Sequence, residues 1–396
     1  MFDPNDFEGS DSERIAAAVD AAAGSADDRR VMISKRHSEA EPDRDFWLID
    51  EAVRLPGNIE VVVNDCRIKL SDRCRDNFFR SANCGAGIER LETLRGIRLT
   101  GRGEAVLEGA DHPRSTGDSA KTLGVRSYGT DAGRAGESQT GDWRNIGILF
   151  AKVEDFCISG LTLRNYHCWG VSLEKCSRGR VANLIFETRE RREIDGVLQP
   201  ILNQDGVDLR KGCHHIEIEN ITGRTGDDLV ALTAIAPALR TPGLLDSTEV
   251  SGCQPGDELD LHHVTIRRVH GYSTGGHQIV RLLNSQGIRI YSVLVEDVCD
   301  LSAGSPDGIR DNVAVKIGDV IPAWGGVAPL GDTFDITVRD IDSRAKHAVL
   351  VQGTLFRSRI ENVINRNPDC PPFDCRDPEG VREVTTVQVR TVPESL

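Results

Sequence analysis

Three aspartates are the residues of this chain whose type and spacing point most directly to chemistry. Asp205 stands 22 residues before the adjacent pair Asp227-Asp228. That interval is about one coil of a solenoid of stacked parallel strands, so the three carboxylates are expected on one face. Carboxylates that converge on one point are what acid–base cleavage of a bond between two sugars requires.

Carboxylates held this close cannot all ionise independently, because each negative charge opposes the next. The repulsion raises the pKa of at least one of them and keeps a proton available for a leaving group. Neighbouring coils stack about 4.8 Å apart, and a lateral offset predicts carboxyl groups separated by roughly 6.5–9.5 Å, which admits a water molecule. For each aspartate taken singly, capping of turn N–H groups remains the alternative.

The elements that must position these acids repeat along the chain. Each unit has a short apolar strand, an irregular turn and a second strand. The units occupy residues 170–187, 206–222, 279–295 and 348–364. Short strands joined in this way predict an all-β fold, a single-stranded right-handed parallel β-helix, with the right hand because parallel connections favour it.

Before the repeats, six short strand-like segments are separated by Gly, Pro, Asn and Asp. They are predicted at 31–34, 46–49, 59–63, 68–70, 97–99 and 105–107. Residues 1–30 are predicted to form an N-terminal cap, in which Asp11 or Ser12 begins a helix through Ala23. The apolar face of that helix would cover the open end of the stack.

A stacked solenoid lengthens without dividing, so residues 1–396 are interpreted as one domain. The polar, glycine-rich stretch 111–145 and the proline-containing stretch 235–258 are predicted as long loops on one face. The second follows the Asp pair and is placed to wall a cleft. Residues 366–396 are predicted to leave the repeat as a C-terminal tail or cap.

The chain carries 48 Lys and Arg against 62 Asp and Glu, a formal net charge of −14. This charge argues against nucleic acid or an anionic membrane as partner, and any positive charge for an anionic substrate must be local. The sequence shows neither a signal peptide nor an apolar run long enough to span a membrane, so we expect a cytoplasmic location. A homo-oligomer remains open.

The three aspartates lie in motifs that carry a resemblance. Asn203-x-Asp205, then Gly226-Asp227-Asp228, then a glycine-flanked His277 resemble the polygalacturonases of glycoside hydrolase family 28. The N-terminal segment with Asp6-Phe7 is similar to the start of the wider pectate-lyase-like β-helix superfamily. The resemblance spans most of residues 5–365 and is stronger for the fold than for the activity.

The resemblance implies hydrolysis of glycosidic bonds with inversion. Asp227 would be the general acid, and Asp205 and Asp228 would together activate the attacking water. Asn203 would be a polar neighbour of the site. His277 would matter as a hydrogen-bond partner that tunes the acid pair, with a simple turn residue beside two glycines as the alternative. No cofactor is implied, and a carbohydrate is the expected partner.

Two motifs depart from the family pattern. The family's Gly-His-Gly reads Gly276-His277-Gln278 here, and its Arg-Ile-Lys maps onto Ala314-Val315-Lys316. Lys316 can meet a substrate carboxylate but lacks the planar fork of Arg, so Arg281 is a second candidate for that role. Trp169 is a candidate for stacking on a sugar ring, with packing against the coil as the alternative.

Two histidine pairs invite a metal interpretation, His214-His215 and His262-His263. Neighbouring residues of a strand point to opposite faces, so neither pair is expected to chelate through both rings. We therefore expect no metal site.

The sequence thus predicts a glycoside hydrolase acting on an oligo- or polysaccharide, with a pectin-derived galacturonide as the substrate that the resemblance suggests. Three alternatives stay open. The same scaffold supports polysaccharide lyases, which remove a proton beside a uronate carboxylate, and enzymes that transfer the sugar to another hydroxyl. A non-catalytic carbohydrate-binding solenoid is the third, because solenoids offer long binding surfaces.

Overall fold

A computed structural model shows that the chain is a right-handed parallel β-helix. The structure describes residues 1–74, 76–85, 88, 90–112, 142–201, 203–235, 250, 256–285, 287–322 and 326–393. These residues contain one α-helix, α1, at Asp11–Gly24, and short 3-10 helices at Pro4–Asp6, Asp142–Asn145 and Pro378–Gly380. No helix in these ranges has the length and apolar character needed to cross a membrane.

The strands up to the first long one are short. They are β1 Arg30–Ile33, β2 Trp47–Ile49, β3 Val53–Leu55, β4 Ile59–Asn64, β5 Arg67–Leu70, β6 Phe79–Ser81, β7 Leu94–Arg95, β8 Ile97–Arg102, β9 Val106–Glu108, β10 Ile148–Ala151, β11 Val153–Glu154, β12 Cys157–Ser159, β13 Thr162–Arg164 and β14 Val171–Glu174. The six strands predicted before the repeats are all present, within one to three residues at their ends.

From β15 onward, long strands alternate with short ones, with one exception. They are β15 Ser177–Glu187, β16 Arg191–Ile194, β17 Val197–Pro200, β18 Val207–Arg210, β19 His214–Thr225, β20 Val230–Ala234, β21 Leu261–Ser273, β22 Gln278–Asn284, β23 Ile290–Asp300, β24 Val313–Ile317, β25 Thr333–Ser343, β26 His347–Val351, β27 Leu355–Asn365, β28 Phe373–Cys375 and β29 Val381–Thr391. The exception is the extra short pair β16 and β17, which lies between β15 and β18.

Two parallel sheets run the length of the molecule. The ten-stranded sheet has the order β3-β6-β10-β14-β18-β20-β22-β24-β26-β28, so each coil adds one short strand. The other sheet has seventeen strands in the described part of the chain and includes all the long strands. The remaining pair, β16 and β17, is an antiparallel hairpin that projects from the coil just before β18.

The long strands turn a corner at residues with left-handed backbone. In β19 the inward residues are Ile216, Ile218 and then Ile221, so the alternation of a strand is broken once. The break falls at Asn220, whose φ is 54°. The residues level with Asn220 on seven other coils have the same backbone; they are Gly160, Asn183, Arg268, Asp297, Asp340, Asn362 and Gln388. Asn and Asp tolerate this conformation better than other L residues.

A second corner stands where each coil leaves the ten-stranded sheet. Its left-handed residues are Asn58, Gly96, Asp155, Arg178, His215, His263, Ser292, Asp335, Arg357 and Glu383. Inside both corners, Val, Ile, Leu and Phe side chains form one continuous buried core from α1 to β29. The repeats predicted this core, since each unit can bury its apolar face only against the next coil.

Helix α1 covers the N-terminal end, as predicted, but its cap differs by one or two residues. Ser10 is the N-cap, and a capping box joins it to Glu13 through hydrogen bonds in both directions. Asp11 was a predicted cap; its carboxylate is instead buried and bound by Arg36 at 2.9 Å. Asp11 thus ties α1 to the segment that follows β1.

The C-terminal segment continues the solenoid, which corrects the prediction that residues 366–396 leave the repeat. Strand β28 pairs in parallel with β26, and β29 pairs with β27. The apolar pattern of Val381–Thr391 matches the previous coil, and most of its side chains are exposed. The predicted loops 111–145 and 235–258 fall mostly outside the described residues.

The corner at Asn220 generates a stability test. Asn220→Val should destabilise the protein more than Asn220→Gly, by about 1–2 kcal/mol, because a β-branched residue clashes in left-handed backbone and glycine does not. In an ordinary strand the order is reversed, since Val favours strands and Gly does not. Urea unfolding of both variants measures the difference, and a more stable Val variant would contradict the corner geometry.

Candidate active site

Asp205 and Asp228 enter neighbouring strands of the ten-stranded sheet at the same level. Val207 of β18 pairs with Val230 of β20, a register shift of 23 residues. Extended backwards, this register places Asp205 beside Asp228, so one coil adds 23 residues here, close to the spacing of 22 between Asp205 and Asp227. Asp227 lies one position earlier, level with Gln204 on one side and with His277 on the other.

Backbone hydrogen bonds between the turns bring the acids together. The carbonyl of Gln204 accepts from the N–H groups of Gly226 and Asp227, at 3.0 and 3.2 Å. The N–H of Gly206 donates to the carbonyl of Asp228 at 2.8 Å. The side chain of Gln204 is buried and donates to the carbonyl of Tyr166 at 2.6 Å. Main-chain hydrogen bonds therefore set the positions of the turns that carry Asp205 and Asp227.

Glycines allow this close approach of the coils. A Cβ added at Gly206 would stand 2.3 Å from the carbonyl oxygen of Leu229. A Cβ added at Gly275 would stand 2.4 Å from the carbonyl oxygen of Gly226 and 2.6 Å from the His277 ring. Side chains at either position would force the turns that carry the acids apart.

The three predicted acids converge. One carboxylate oxygen each from Asp205, Asp227 and Asp228 lies within 4.8 Å of the other two, which is closer than the roughly 6.5–9.5 Å predicted from the stacking of coils. Oxygens this close can all hydrogen-bond to one water molecule, since each such bond spans about 2.8 Å. Oδ1 of Asp205 and Oδ2 of Asp228 are buried and accept no hydrogen bond from the described residues. Buried acceptors without donors indicate a place for water or a substrate hydroxyl.

Burial and mutual repulsion raise the pKa of two of these acids. Burial is the largest cause for Asp205, whose pKa lies well above the ordinary value, and the charges of Asp208 and Asp227 add to it. Burial and the charge of Asp228 raise the pKa of Asp227 to about 6, against opposing effects of His277 and Arg281. The cluster therefore holds protons at a pH where isolated aspartates have lost them.

Asp228 has cationic and donor partners that suit a carboxylate. The N–H of Gln278 donates to its Oδ1 at 3.0 Å. Nη1 of Arg281 lies 3.6 Å from its Oδ2. Of the three acids, Asp228 is fully buried, whereas Asp227 is partly open to solvent. The two adjacent residues thus stand in different surroundings, which suits them to different roles.

Arg281 and Lys316, the predicted substrate-binding cations, lie side by side on β22 and β24. Both contact Oδ2 of Asp319 at 2.8 Å. The pKa of Asp319 is lowered: burial alone would raise it, but the hydrogen bond from Lys316 and the charge of Arg281 outweigh burial. Asp319 holds the two cations at the floor of the site, next to Asp228.

The other predicted residues fall at different distances from the acids. Nδ1 of His277 lies 3.5 Å from Oδ1 of Asp227, and 42% of the His277 side chain is exposed. Asn203 has left-handed backbone two residues before Asp205. Trp169 is level with Asp205 on the preceding coil, but it is 5% exposed and the Arg210 guanidinium lies 4.4 Å from its ring. Trp169 therefore packs beside the site, which is the alternative to sugar stacking that the sequence left open.

Sequence reasoning missed several parts of the site. Asp208 is buried beside the trio, and its pKa is raised well above the ordinary value by burial, with Arg210 opposing and Asp228 adding. The sequence could have indicated Asp208, because a charged residue between the apolar residues Val207 and Leu209 must point outward from the strand. Asp319 follows the strand of Lys316, but its partners are not visible in sequence. The hairpin β16–β17 had a signal at Asp195-Gly196, a pair typical of hairpin turns.

One row of outward side chains crosses the whole ten-stranded sheet through this site. It consists of Arg54, Arg80, Leu149, Ser172, Asp208, Ala231, Arg281, Lys316, Leu350 and Asp374. We call it the outer row. Near its N-terminal end, a cavity of about 290 Å³ is lined by Arg54, Asp76, Arg80, Trp143 and Arg144, among others. Arg80 and Arg144 lie 5.1 and 5.5 Å from the Trp143 ring centre.

The Asp trio is also the part of the described chain where oxygen ligands could hold a hard divalent cation. Such ions take six to eight oxygens, or six in a strict octahedron, and three carboxylate oxygens leave the remainder to water or substrate. Arg281 and His277 act on the same acids, since both oppose the rise in the pKa of Asp227.

Comparison with known proteins gives a family match over part of the chain. Residues 127–241 match the model of the glycosyl hydrolases family 28. This segment contains Asp205, Asp227 and Asp228 and ends before His277 and Lys316. The match supports a glycosidase function. No curated protein matches the chain.

Among solved structures, the chain is similar to a family 28 exopolygalacturonase from Yersinia enterocolitica, with 14% identity, 99% of this chain and 77% of that chain covered, and a TM-score of 0.43. It is similar to a polygalacturonase from Erwinia carotovora, with 10% identity, coverage of 98% and 95%, and a TM-score of 0.48. It is also similar to an endo-xylogalacturonan hydrolase from Aspergillus tubingensis, with 13% identity, coverage of 100% and 99%, and a TM-score of 0.47.

The raised pKa of Asp205 generates a stability test. A carboxyl whose pKa is higher in the folded state favours folding below its unfolded pKa, about 3.9, and loses that contribution as pH rises through the folded pKa. Asp205→Asn removes the titrating carboxyl and therefore also removes this loss of stability at high pH. We expect its Tm to exceed that of the wild type by about 2–4 °C at pH 8 and to equal it near pH 4.

The matched control is Asp340→Asn, at an exposed corner. Its Tm difference from the wild type should not change with pH in the same way. A destabilised Asp205→Asn protein at pH 8, or a gain that does not vary with pH, would contradict the assignment of Asp205 as a buried, proton-holding acid.

Proposed function

We propose that this protein is an inverting glycoside hydrolase that cleaves an acidic oligosaccharide. The observation that carries the proposal is the convergence of Asp205, Asp227 and Asp228, with oxygens within 4.8 Å of one another and with buried acceptors that no described donor satisfies. The family match over residues 127–241 supports the reaction class. The stereochemistry and the substrate are the further steps of the proposal.

Asp227 is the general acid. It is the member of the trio partly open to the cleft, and its pKa of about 6 leaves it protonated in mildly acidic solution. Its proton passes to the glycosidic oxygen as the bond from that oxygen to the anomeric carbon breaks. His277, 3.5 Å from Asp227, orients the acid and stabilises the carboxylate that forms.

Asp228 is the general base. A water molecule held between Asp228 and Asp205 attacks the anomeric carbon from the face opposite the leaving group, and its proton passes to Asp228. Arg281 beside Asp228 stabilises the carboxylate before this transfer. Asp205, which retains its proton through burial, orients the water by hydrogen bonds. One water is consumed, and the sugar product has inverted configuration.

Four of the ten outer-row side chains are cations and two, Asp208 and Asp374, are acids, and this excess of cations supports an acidic substrate. The chain as a whole carries −14, yet Arg281 and Lys316 flank the acids on one side and Arg54 and Arg80 lie further along the same row. Arg80 and Asp208 are three strands apart, about 14 Å at the usual strand spacing. A substrate that contacts both ends therefore has several sugar units, with carboxylates that pair with the cations.

Asp227→Asn tests the acid. We expect kcat on oligogalacturonides to fall by about 10²–10⁴-fold, because a positioned general acid contributes that much. In the wild type, kcat/KM should fall as pH rises through about 6, since the acid is then lost. Asp340→Asn is the control and should keep full activity, because Asp340 is exposed and lies at the corner that contains Asn220.

Other outcomes of this experiment separate the alternatives. Equal turnover of Asp227→Asn and wild type would refute the assignment of the acid. Proton NMR of the first-formed anomer must show inversion, and retention would contradict the scheme. Appearance of an unsaturated product absorbing in the ultraviolet, or loss of activity with EDTA that Ca²⁺ restores, would favour a lyase.

Arg54→Ala tests the acidic substrate. Arg54 is exposed at the N-terminal end of the outer row, so its loss should raise KM several-fold for long oligogalacturonides and leave kcat and the KM of the shortest substrates unchanged. Arg382→Ala, exposed on the last coil, is the matched control. An equal KM for wild type and Arg54→Ala at every chain length would remove the N-terminal part of the row from the binding surface.

A further inference from the structure

Four histidines gather at the other end of the same strands, where the coils leave the ten-stranded sheet. His214 and His215 begin β19, and His262 and His263 lie level with them on β21. The rings stack coil on coil: His214 on His262 at 5.0 Å and 7°, and His215 on His263 at 4.6 Å and 10°. We call these residues the histidine quartet.

Left-handed backbone puts both rings of each pair on the same side. The φ angles of His215 and His263 are 53° and 52°. The alternation of a strand fails at such residues, so the expectation that neighbouring histidines point to opposite faces was wrong here. Nδ1 of His214 lies 2.9 Å from Nδ1 of His215, and Nδ1 of His262 lies 2.7 Å from Nδ1 of His263.

The surroundings keep these nitrogens available as ligands. Nε2 of His262 lies 2.7 Å from Oε1 of Glu258. A carboxylate on one ring nitrogen places the proton there and frees the other nitrogen to bind, which is the usual second partner of a metal-binding histidine.

We propose that the histidine quartet binds a divalent transition metal through Nδ1 atoms, with preference for Cu²⁺ or Ni²⁺ over Zn²⁺. In each pair one ion takes the place of the proton between the two Nδ1 atoms, and that proton passes through solvent to Nε2 of the ring that held it, so both rings remain neutral ligands. Bonds of ~2.0–2.1 Å to nitrogens 2.7–2.9 Å apart subtend roughly 90° at the metal. That angle belongs to square-planar or tetragonal sites, whereas tetrahedral Zn²⁺ needs nitrogens ~3.3 Å apart.

The site is independent of the proposed hydrolase chemistry. Asp205 precedes β18 and His214 follows it, so the trio and the quartet lie at opposite ends of that strand. Tyr291 stacks on His262 at 4.8 Å and closes the quartet on the C-terminal side. His215 and His263 are exposed, so a hydrated ion reaches the nitrogens from solvent.

The test uses the full chain without a histidine tag, stripped of metal, and titrates it with CuSO₄, NiCl₂ and ZnCl₂ by calorimetry. We expect saturable binding, tighter for Cu²⁺ and Ni²⁺ than for Zn²⁺, and nitrogen couplings in the EPR spectrum of the Cu²⁺ form. In the double variant His215→Gln/His263→Gln the affinity for Cu²⁺ should fall at least tenfold. His270→Gln, a partly exposed histidine on another face, is the matched control.

Three results would overturn the proposal. The first is Cu²⁺ binding that is unchanged in the double variant. The second is Cu²⁺ binding that is lost in Asp205→Asn, which would move the ion to the carboxylates. The third is a wild-type Tm that does not rise with Cu²⁺ or Ni²⁺, since any ion that binds the folded state stabilises it. Far-ultraviolet circular dichroism of the double variant establishes that weaker binding is not loss of the fold.

Discussion

The parallel hydrogen-bond register between successive coils is the constraint on which the whole molecule depends. It fixes which residues stand level with one another, coil after coil, from β3 to β28. Hydrogen bonds from the turn N–H groups extend that register beyond the strands and place Asp205 beside Asp228. A slip by one residue would bury Asp208 and Arg281 in the apolar core and expose their inward neighbours. The site therefore exists only in this register.

The same constraint concentrates charge. Because each coil adds one outward side chain to the outer row, acids and cations from distant parts of the sequence are forced within a few ångströms. Burying Asp205 and Asp208 without full hydrogen bonding destabilises the folded state, and the carboxyls respond by holding protons. Local destabilisation of this kind is typical of sites that are shaped for chemistry and not for stability.

The sequence predicted what depends on local pattern and missed what depends on register. The repeats predicted the β-helix, because apolar periodicity reports directly on burial. The general preference of parallel connections predicted its hand, and the pattern of the N-terminal segment predicted the capping helix. The Asp trio was predictable from a spacing near one coil. The shift of 23 was not, since the length of a turn does not reveal how many residues it adds. Asp319, the partner of Lys316, and the burial of Trp169 depend on contacts across coils, which no spacing reveals.

The histidine quartet shows why the corners are hard to predict. Strand alternation is a rule about extended backbone, and each corner contains one residue that leaves it. At that residue two side chains adjacent in sequence come to the same side, and the next coil repeats the arrangement about 4.8 Å away. A corner therefore brings four side chains from two dipeptides into one cluster. Where those dipeptides are His-His, the cluster contains paired imidazole nitrogens. Elsewhere on the same corner, Arg178 and Arg357 form ion pairs. The same left-handed corner residue thus brings together side chains of different chemistry on different coils, and the residue types at the corner determine whether they form ion pairs or a histidine cluster.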